Sequence, residues 1–207
     1  MKVYFVRHGQ SELTETKHQL PKTPLSKLGM KQANAIAKRF NNLPIEVILS
    51  SVYTRAKQTA QKIYSIKNVP IIESELLIER KMPSEFYGKA VDDPSIIPIH
   101  NTIREHFYDS SWHYEQEENF YDLQKRAKDA LALMTSQKKE HIAVVTHGYF
   151  LTFLLFLIIL GDDADPKYFR MFRDHTANSN TGLTLCEYNK DTWKLLTWND
   201  IAHLGDD

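Results

Sequence analysis

The segment Val3-Tyr4-Phe5-Val6-Arg7-His8-Gly9 carries the clearest structural signal in the sequence. Its first four residues are apolar and include good β-formers, which predicts a short strand buried on both faces of a sheet. The strand ends in a glycine-containing turn that carries two basic side chains. We therefore expect a sheet covered on both faces, with polar groups at the carboxyl end of its first strand.

Further apolar segments predict strands that alternate with helices. Strands are predicted at 3–6, 45–49, 70–72, 142–145, 183–188 and 193–198, and the last two read as a hairpin. Helices are predicted to begin after an N-cap at Ser26, to open at Ser50-Ser51, to cover 120–134 and to follow Tyr149. Residues 92–115 read as loop and short helix. This order predicts an α/β protein: a three-layer α/β/α sandwich whose central sheet is mostly parallel, with a C-terminal antiparallel hairpin.

Composition narrows the range of functions. The chain has 207 residues, 42% of them hydrophobic and 25% charged, which is ordinary for one globular domain. Lys+Arg and Asp+Glu both number 26, so no global basic field would recruit nucleic acid or an anionic membrane. The apolar run from Tyr149 to Leu160 is too short to span a bilayer and predicts a buried helix. A single cysteine, Cys186, and the absence of a signal peptide at the start of the sequence favour a cytoplasmic protein.

Basic side chains follow three of the predicted strands. Arg7 and His8 follow the first, Arg55 lies just beyond the second, and His147 follows the fourth. Ligands bind outside the carboxyl ends of strands in open α/β sheets, so these residues are expected to meet in one crevice. Guanidinium groups suit the oxygens of a phosphoryl group, and imidazole can act as a nucleophile. The sequence has no P-loop, no dinucleotide fingerprint and no metal-ligand array, so we predict phosphoryl transfer without a metal or cofactor.

These motifs together resemble the histidine phosphatase superfamily, which includes phosphoglycerate mutases and many phosphatases. The resemblance spans nearly the whole chain. It is carried by Arg7-His8-Gly9, by the helix start at 25–29, by the segment 50–60 with Arg55, by Thr146-His147-Gly148, and by the turn Asn180-Thr181-Gly182.

The resemblance implies a phosphoglycerate mutase-like fold and a two-step reaction on a small phosphorylated substrate. A neutral His8 would attack phosphorus and form a phosphohistidine, which water then hydrolyses. Arg7, Arg55 and His147 would hold the phosphoryl oxygens, and Ser11 is either a further phosphate ligand or a turn cap. The chain would form a single domain over residues 1–207, with a cap-like insertion around 80–122.

The family also implies a carboxylic acid that protonates the leaving oxygen. Glu79, in Leu77-Ile78-Glu79, is the best match, and Glu85 is an alternative because the segment before Gly88 is unusually long.

Two other functions stay open at this stage. One is a phosphoglycerate mutase, although Glu79-Arg80-Lys81-Met82-Pro83 departs from the mutase pattern. The other is a non-catalytic module that binds a phosphorylated ligand. The sequence makes no prediction of the oligomeric state.

Overall fold

A single six-stranded sheet organises the computed structural model, which describes residues 1–13 and 16–205. The strands are β1 Lys2–Arg7, β2 Val47–Ser51, β3 Ile71–Ser74, β4 His141–Thr146, β5 Leu183–Asn189 and β6 Thr192–Asp200. Their order across the sheet is β3-β2-β4-β1-β5-β6. The first four are mutually parallel, whereas β5 runs antiparallel to β1 and forms the predicted hairpin with β6.

Six helices accompany the sheet in the described ranges. They are α1 Lys27–Phe40, α2 Thr54–Lys67, α3 Ile97–His106, α4 Phe120–Ser136, α5 Gly148–Leu160 and α6 Pro166–Asp174. Helix α1 begins as predicted, because the Ser26 hydroxyl accepts a hydrogen bond from the Gly29 amide at 3.0 Å. The α/β class and the alternation of strands with helices are confirmed.

Apolar clusters cover the two faces of the sheet. On one face Phe5 and Val144 join residues of α4 and α5 in the larger cluster. On the other face Val6 and Val145 join residues of α1 and α2. Adjacent residues of a strand point to opposite faces of the sheet, so an apolar strand contributes side chains to both clusters. The sheet is thereby fixed between two helical layers.

Helix α5 is apolar all round, as its sequence predicted. Every residue from Phe150 to Ile158 is buried, including Thr152. Such a helix belongs inside a protein, because it has no polar face to present to water. No helix among the described residues is long and apolar enough to cross a membrane.

Helices α2 and α6 differ from the sequence prediction, whereas α3 fits it. Ser50 and Ser51 are fully buried and complete strand β2, so α2 begins only at Thr54. Within the loop-and-short-helix region, α3 occupies residues 97–106. Helix α6 was not predicted, although Asp165 caps it and Pro166 opens it.

The segment between β3 and α4 builds a small apolar cluster of its own. Phe86, Ile96 and Ile103 are buried there, with Met82 and Trp112 packed against them. The cluster gives this segment a separate core beside the carboxyl end of the sheet.

Candidate active site

Strand pairing brings the two predicted histidines side by side. β1 and β4 are parallel neighbours in which Arg7 pairs with Thr146, so His8 and His147 leave the sheet together. The His8 amide donates to the Thr146 carbonyl at 2.9 Å, and the centroids of the two imidazole rings are 4.9 Å apart. Both residues are buried.

A close backbone contact fixes the turn after β1. A Cβ atom on Gly9 would lie 2.5 Å from the Gly29 carbonyl oxygen, so any larger residue would push the turn away from α1. The Gly9 amide donates to the Thr59 hydroxyl at 3.2 Å, and the Asn180 side-chain amide donates to the His8 carbonyl at 2.9 Å. The glycine of the first motif therefore positions His8 through the backbone.

The hydrogen bonds of His8 define its tautomer. Nδ1 is 2.7 Å from the Gly9 carbonyl oxygen, which can only accept, so Nδ1 carries the proton. Nε2 is 3.0 Å from Arg55 Nε, which can only donate. Burial, followed by the charges of Arg55 and Arg7, lowers the pKa of His8 well below its ordinary value. The ring is therefore neutral, with the lone pair on Nε2.

Both predicted arginines lie at this point. Arg55 is 2% exposed, and its Nη1 donates to the Leu20 carbonyl at 3.0 Å. Burial lowers the pKa of Arg55, while the charge of Glu79 opposes that change. Arg7 Nη1 donates to the Asn178 carbonyl at 2.6 Å. Carbonyl oxygens thus orient both guanidinium groups.

His147 lies behind His8 and is fully buried. Its Nε2 is 2.8 Å from the Ser51 hydroxyl, and the Tyr53 ring packs edge-on against it at 5.1 Å. Its Nδ1 is buried and has no hydrogen-bond partner within residues 1–13 and 16–205. Burial and then the charge of Arg55 lower the pKa of His147 well below its usual value, so this imidazole is also neutral.

Glu79 is held at the N-terminus of α5. Its Oε1 accepts hydrogen bonds from the amides of Phe150 (2.9 Å) and Arg80 (3.0 Å), and its Oε2 accepts one from the Tyr149 amide at 3.2 Å. Two backbone amides at the start of α5 are therefore bound to Glu79. The carboxylate is thereby fixed within one turn of His147.

Glu85 and Ser11 do not join this group. The Glu85 carboxylate accepts a hydrogen bond from the Tyr114 hydroxyl at 2.8 Å, on the side of the small apolar cluster. The Ser11 hydroxyl donates to the Leu13 carbonyl at 2.8 Å, as a turn cap would. Neither side chain lines the cavity around His8 in the described part of the chain.

A cavity of about 210 Å³ lies beside His8 and is lined by every remaining member of the group except His147. Arg7, His8, Arg55 and Glu79 line it together. Further lining residues were not singled out from the sequence; they are Lys17, His18, Gln19, Tyr53, Arg80, Met82 and Tyr87. Tyr53 lies two residues before Arg55, and Arg80 directly follows Glu79, so their positions in the sequence could have indicated a place in the site. Tyr87 has no predicted site residue next to it in the sequence.

The wall of this cavity is mainly cationic and aromatic. Burial raises the pKa of Tyr53 to about 12, so its hydroxyl stays protonated and available as a donor. Glu79 is the one acidic residue among the lining residues of the described ranges. No three His, Cys, Asp or Glu side chains of the described residues are grouped to hold a metal ion. A neutral imidazole, two guanidinium groups and one carboxylate around a small cavity define a class of α/β enzymes that act on phosphate groups.

Comparison with known proteins agrees with this class. The sequence model of the histidine phosphatase superfamily (branch 1) matches residues 3–201, so the chain belongs to that superfamily. A Bacillus subtilis protein named uncharacterized phosphatase PhoE is 25% identical over 206 residues, covering 98% of this chain and 96% of the relative. A Proteus mirabilis protein named probable phosphoglycerate mutase GpmB is 26% identical over 220 residues, covering 100% of this chain and 96% of the relative.

The fold is also found among solved structures. Bacillus stearothermophilus YhfR superposes with a TM-score of 0.83 at 22% identity, covering 98% of each chain. The family and the relatives identify the enzyme class as a phosphatase, and the solved structure identifies the phosphoglycerate mutase-like fold.

Proposed function

We propose that this protein hydrolyses small phosphomonoesters, without a metal, through a phosphohistidine on His8. The single observation that supports this most strongly is the state of the His8 ring. Its Nδ1 donates a hydrogen bond to the Gly9 carbonyl, and its Nε2 lone pair faces Arg55 beside the cavity. A neutral imidazole with a fixed tautomer is a ready nucleophile.

The first step transfers the phosphoryl group to the enzyme. His8 Nε2 forms a bond to phosphorus while the ester P–O bond breaks, and Glu79, which enters this step as the carboxylic acid, gives its proton to the leaving oxygen. Arg55 Nε can no longer donate to Nε2 once that nitrogen bonds phosphorus, so it turns to a phosphoryl oxygen. Arg7 and His147, whose buried Nδ1 has no hydrogen-bond partner among the described residues, are the other proposed ligands of the phosphoryl oxygens.

The second step returns the enzyme to its starting state. Glu79, now a carboxylate, accepts a proton from water, and the water oxygen attacks phosphorus. The P–N bond breaks, inorganic phosphate leaves, and the electron pair returns to His8 Nε2. We assign the acid and base role to Glu79 rather than Glu85, because Glu79 alone of the two lines the cavity.

The leaving group would lie toward Tyr53, Met82 and Tyr87, which line both this cavity and a second one of about 650 Å³. Residues 80–122 supply much of that side, as expected of a cap-like insertion. The wall suits a small organic phosphate. The balanced charge supports neither a nucleic acid nor a membrane as substrate, and the single buried Cys186 fits a reducing compartment such as the cytoplasm.

The test is His8→Ala, assayed with an aryl phosphate. We expect hydrolysis to fall by roughly 1,000-fold or more, because the nucleophile is lost, and acid-labile phosphate to be trapped on the unaltered enzyme only. His175→Ala, at an exposed histidine, is the matched control and should leave the rate unchanged. An unchanged rate of hydrolysis in His8→Ala would contradict the proposed mechanism.

A phosphoglycerate mutase is the second candidate, favoured by the mutase name of one relative. Incubation with 2-phosphoglycerate and a catalytic amount of a bisphosphoglycerate separates the two activities. Release of inorganic phosphate supports hydrolysis, whereas formation of 3-phosphoglycerate supports the mutase. Tight phosphate binding with no turnover on a broad panel would instead support a binding module.

A further inference from the structure

The segment that carries Glu79 is held by side chains rather than by strand pairing. It follows β3 and a short helical turn at Glu75–Leu77. Arg126, from the face of α4, donates to the backbone carbonyls of Leu76 (3.1 Å), Ile78 (2.8 Å) and Glu79 (3.5 Å). One guanidinium group therefore binds the chain at three points leading to the proposed acid.

Arg126 is itself fixed by a buried partner. Its Nε and Nη2 donate to the two oxygens of Glu118 at 2.6 and 2.7 Å, and both side chains are about nine-tenths buried. A bidentate pair of this kind restricts the guanidinium to one plane. That plane lies over the Phe150 ring, with 3.9 Å from the guanidinium carbon to the ring centroid.

The same pair reaches the residues on the other side of Glu79. Glu118 Oε2 accepts a hydrogen bond from the Lys81 amide at 2.9 Å, and the Glu118 carbonyl accepts one from Arg80 Nε at 3.0 Å. Phe150, beneath the guanidinium, donates its own amide to Glu79 Oε1. Arg126 and Glu118 therefore hold residues 76–81 by hydrogen bonds on both sides of Glu79.

We infer that Arg126 and Glu118 are positioning residues that set where Glu79 delivers its proton. The inference rests on the proposed function, because it assigns a role relative to the proposed acid. Neither residue lines the cavity around His8. Their effect is on the geometry of the carboxyl group, and proton transfer demands hydrogen-bond distance to the leaving oxygen.

A displaced acid has a distinct kinetic signature. An alkyl phosphate has a poor leaving group and needs the proton, whereas p-nitrophenyl phosphate has a good one and needs it little. The value of kcat/KM reports the steps up to the phosphoenzyme and so contains the protonation. Loss of proton delivery should therefore lower kcat/KM selectively for the alkyl ester.

The test is Arg126→Lys, which keeps the charge beside Glu118 but cannot make the bidentate and carbonyl bonds together. We expect kcat/KM for 2-phenylethyl phosphate to fall by about 10- to 100-fold, and that for p-nitrophenyl phosphate by about threefold or less. Glu118→Gln keeps the shape of the partner and should shift the ratio in the same direction by a smaller factor. Arg170→Lys, at an exposed arginine of α6, should leave both substrates unaffected.

Two reference variants keep this inference separate from the proposed function. Glu79→Gln should show the same selectivity in a larger degree, and His8→Ala should be inactive on both substrates. Equal losses on both substrates in Arg126→Lys and Glu118→Gln, or no loss in either, would overturn the positioning role while leaving His8 and Glu79 in place. Absence of selectivity in Glu79→Gln, with His8→Ala inactive, would overturn the acid role and the positioning role together.

Discussion

At the scale of single residues, the site depends on keeping two buried imidazoles neutral. His8 and His147 lie in ring contact beside two guanidinium groups. Burial is the first cause of the lowered pKa of each ring, and the arginine charges add to it. The guanidinium groups proposed to bind a phosphoryl group therefore also help to keep His8, the proposed nucleophile, free of a second proton.

This arrangement predicts that the folded protein loses stability as the pH falls below about 6.5, the ordinary pKa of histidine. There the unfolded chain takes up protons that buried His8 and His147 do not, so the free energy of unfolding falls with pH. Each imidazole contributes on the order of 1 kcal/mol per pH unit in that window.

Urea unfolding at pH 7 and pH 5 measures the effect. His147→Gln should show a smaller loss between the two pH values, because one of the buried imidazoles has been removed. His175→Gln, at an exposed histidine, should keep the full loss. An identical pH dependence in all three proteins would contradict the assignment.

Some site residues can be predicted from the sequence and others cannot. The difference depends on whether a strand end or side-chain packing positions the residue. Arg7, His8 and His147 sit at or next to strand ends, and Arg55 lies just beyond one, so the topology alone predicts that they meet. Glu79 lies in a segment held by Arg126 and Glu118, whose role depends on packing that no local pattern records. Glu85 is an alternative in the sequence for the same reason; in the structure Glu79 lines the cavity around His8, whereas Glu85 is bonded to Tyr114.

At the scale of elements, the ends of helices carry much of the site. Helix α5 begins directly after His147 and gives two amides to Glu79. Helix α1 begins at Lys27 after its N-cap Ser26, whose hydroxyl also donates to the Gln10 side chain at 2.9 Å. That bond ties the start of α1 to the turn after β1.

Ser26→Ala is therefore expected to lower the free energy of unfolding by about 1 kcal/mol, the usual cost of removing an N-cap. The loss is measured as a shift of the urea midpoint. Ser65→Ala, at an exposed serine inside α2, removes a hydroxyl that caps nothing and should change stability by less than about 0.5 kcal/mol. Equal effects of the two substitutions would show that the cap contributes nothing.

The elements with long apolar patterns were the predictable ones. All six strands and helices α1, α4 and α5 appear where periodicity indicated, within a few residues. Helix α6 has only Phe169 buried, so its apolar pattern is too short to stand out, although Asp165-Pro166 is a typical start signal. The sequence predicts too early a start for α2, because serines are common N-caps. In the structure Ser50 and Ser51 are buried strand residues.

At the scale of the whole molecule, cationic groups are concentrated at the cavity while the net charge is zero. Arg80 and Arg126, near the cavity, are each paired with a buried glutamate, which limits the reach of their charge. Substrate capture is therefore expected to depend on short-range contacts rather than on a field that extends into solvent.

The measurable consequence is a weak dependence of kcat/KM on salt. Between about 0.01 and 0.15 M ionic strength, where the screening length falls from about 30 to 8 Å, we expect a change of about twofold or less. Electrostatically steered association loses 10-fold or more under such conditions. A steep fall in kcat/KM over this range would contradict the short-range mode of capture.

β1 lies in the centre of the sheet, and this position also determines how late in synthesis the fold can be completed. Its neighbours are β4 and β5, so the Tyr4 hydroxyl meets a residue 137 positions away, and the His8 carbonyl meets an amide 172 positions away. Contacts of such long range fold slowly, because large loops must close before the contacts form. During synthesis β1 therefore cannot pair with β4 before residues 141–146 are made, or with β5 before residues 183–189 are made. An apolar strand exposed through that interval is prone to aggregation, and His8, although made early, is positioned only after β4 and β5 have been made.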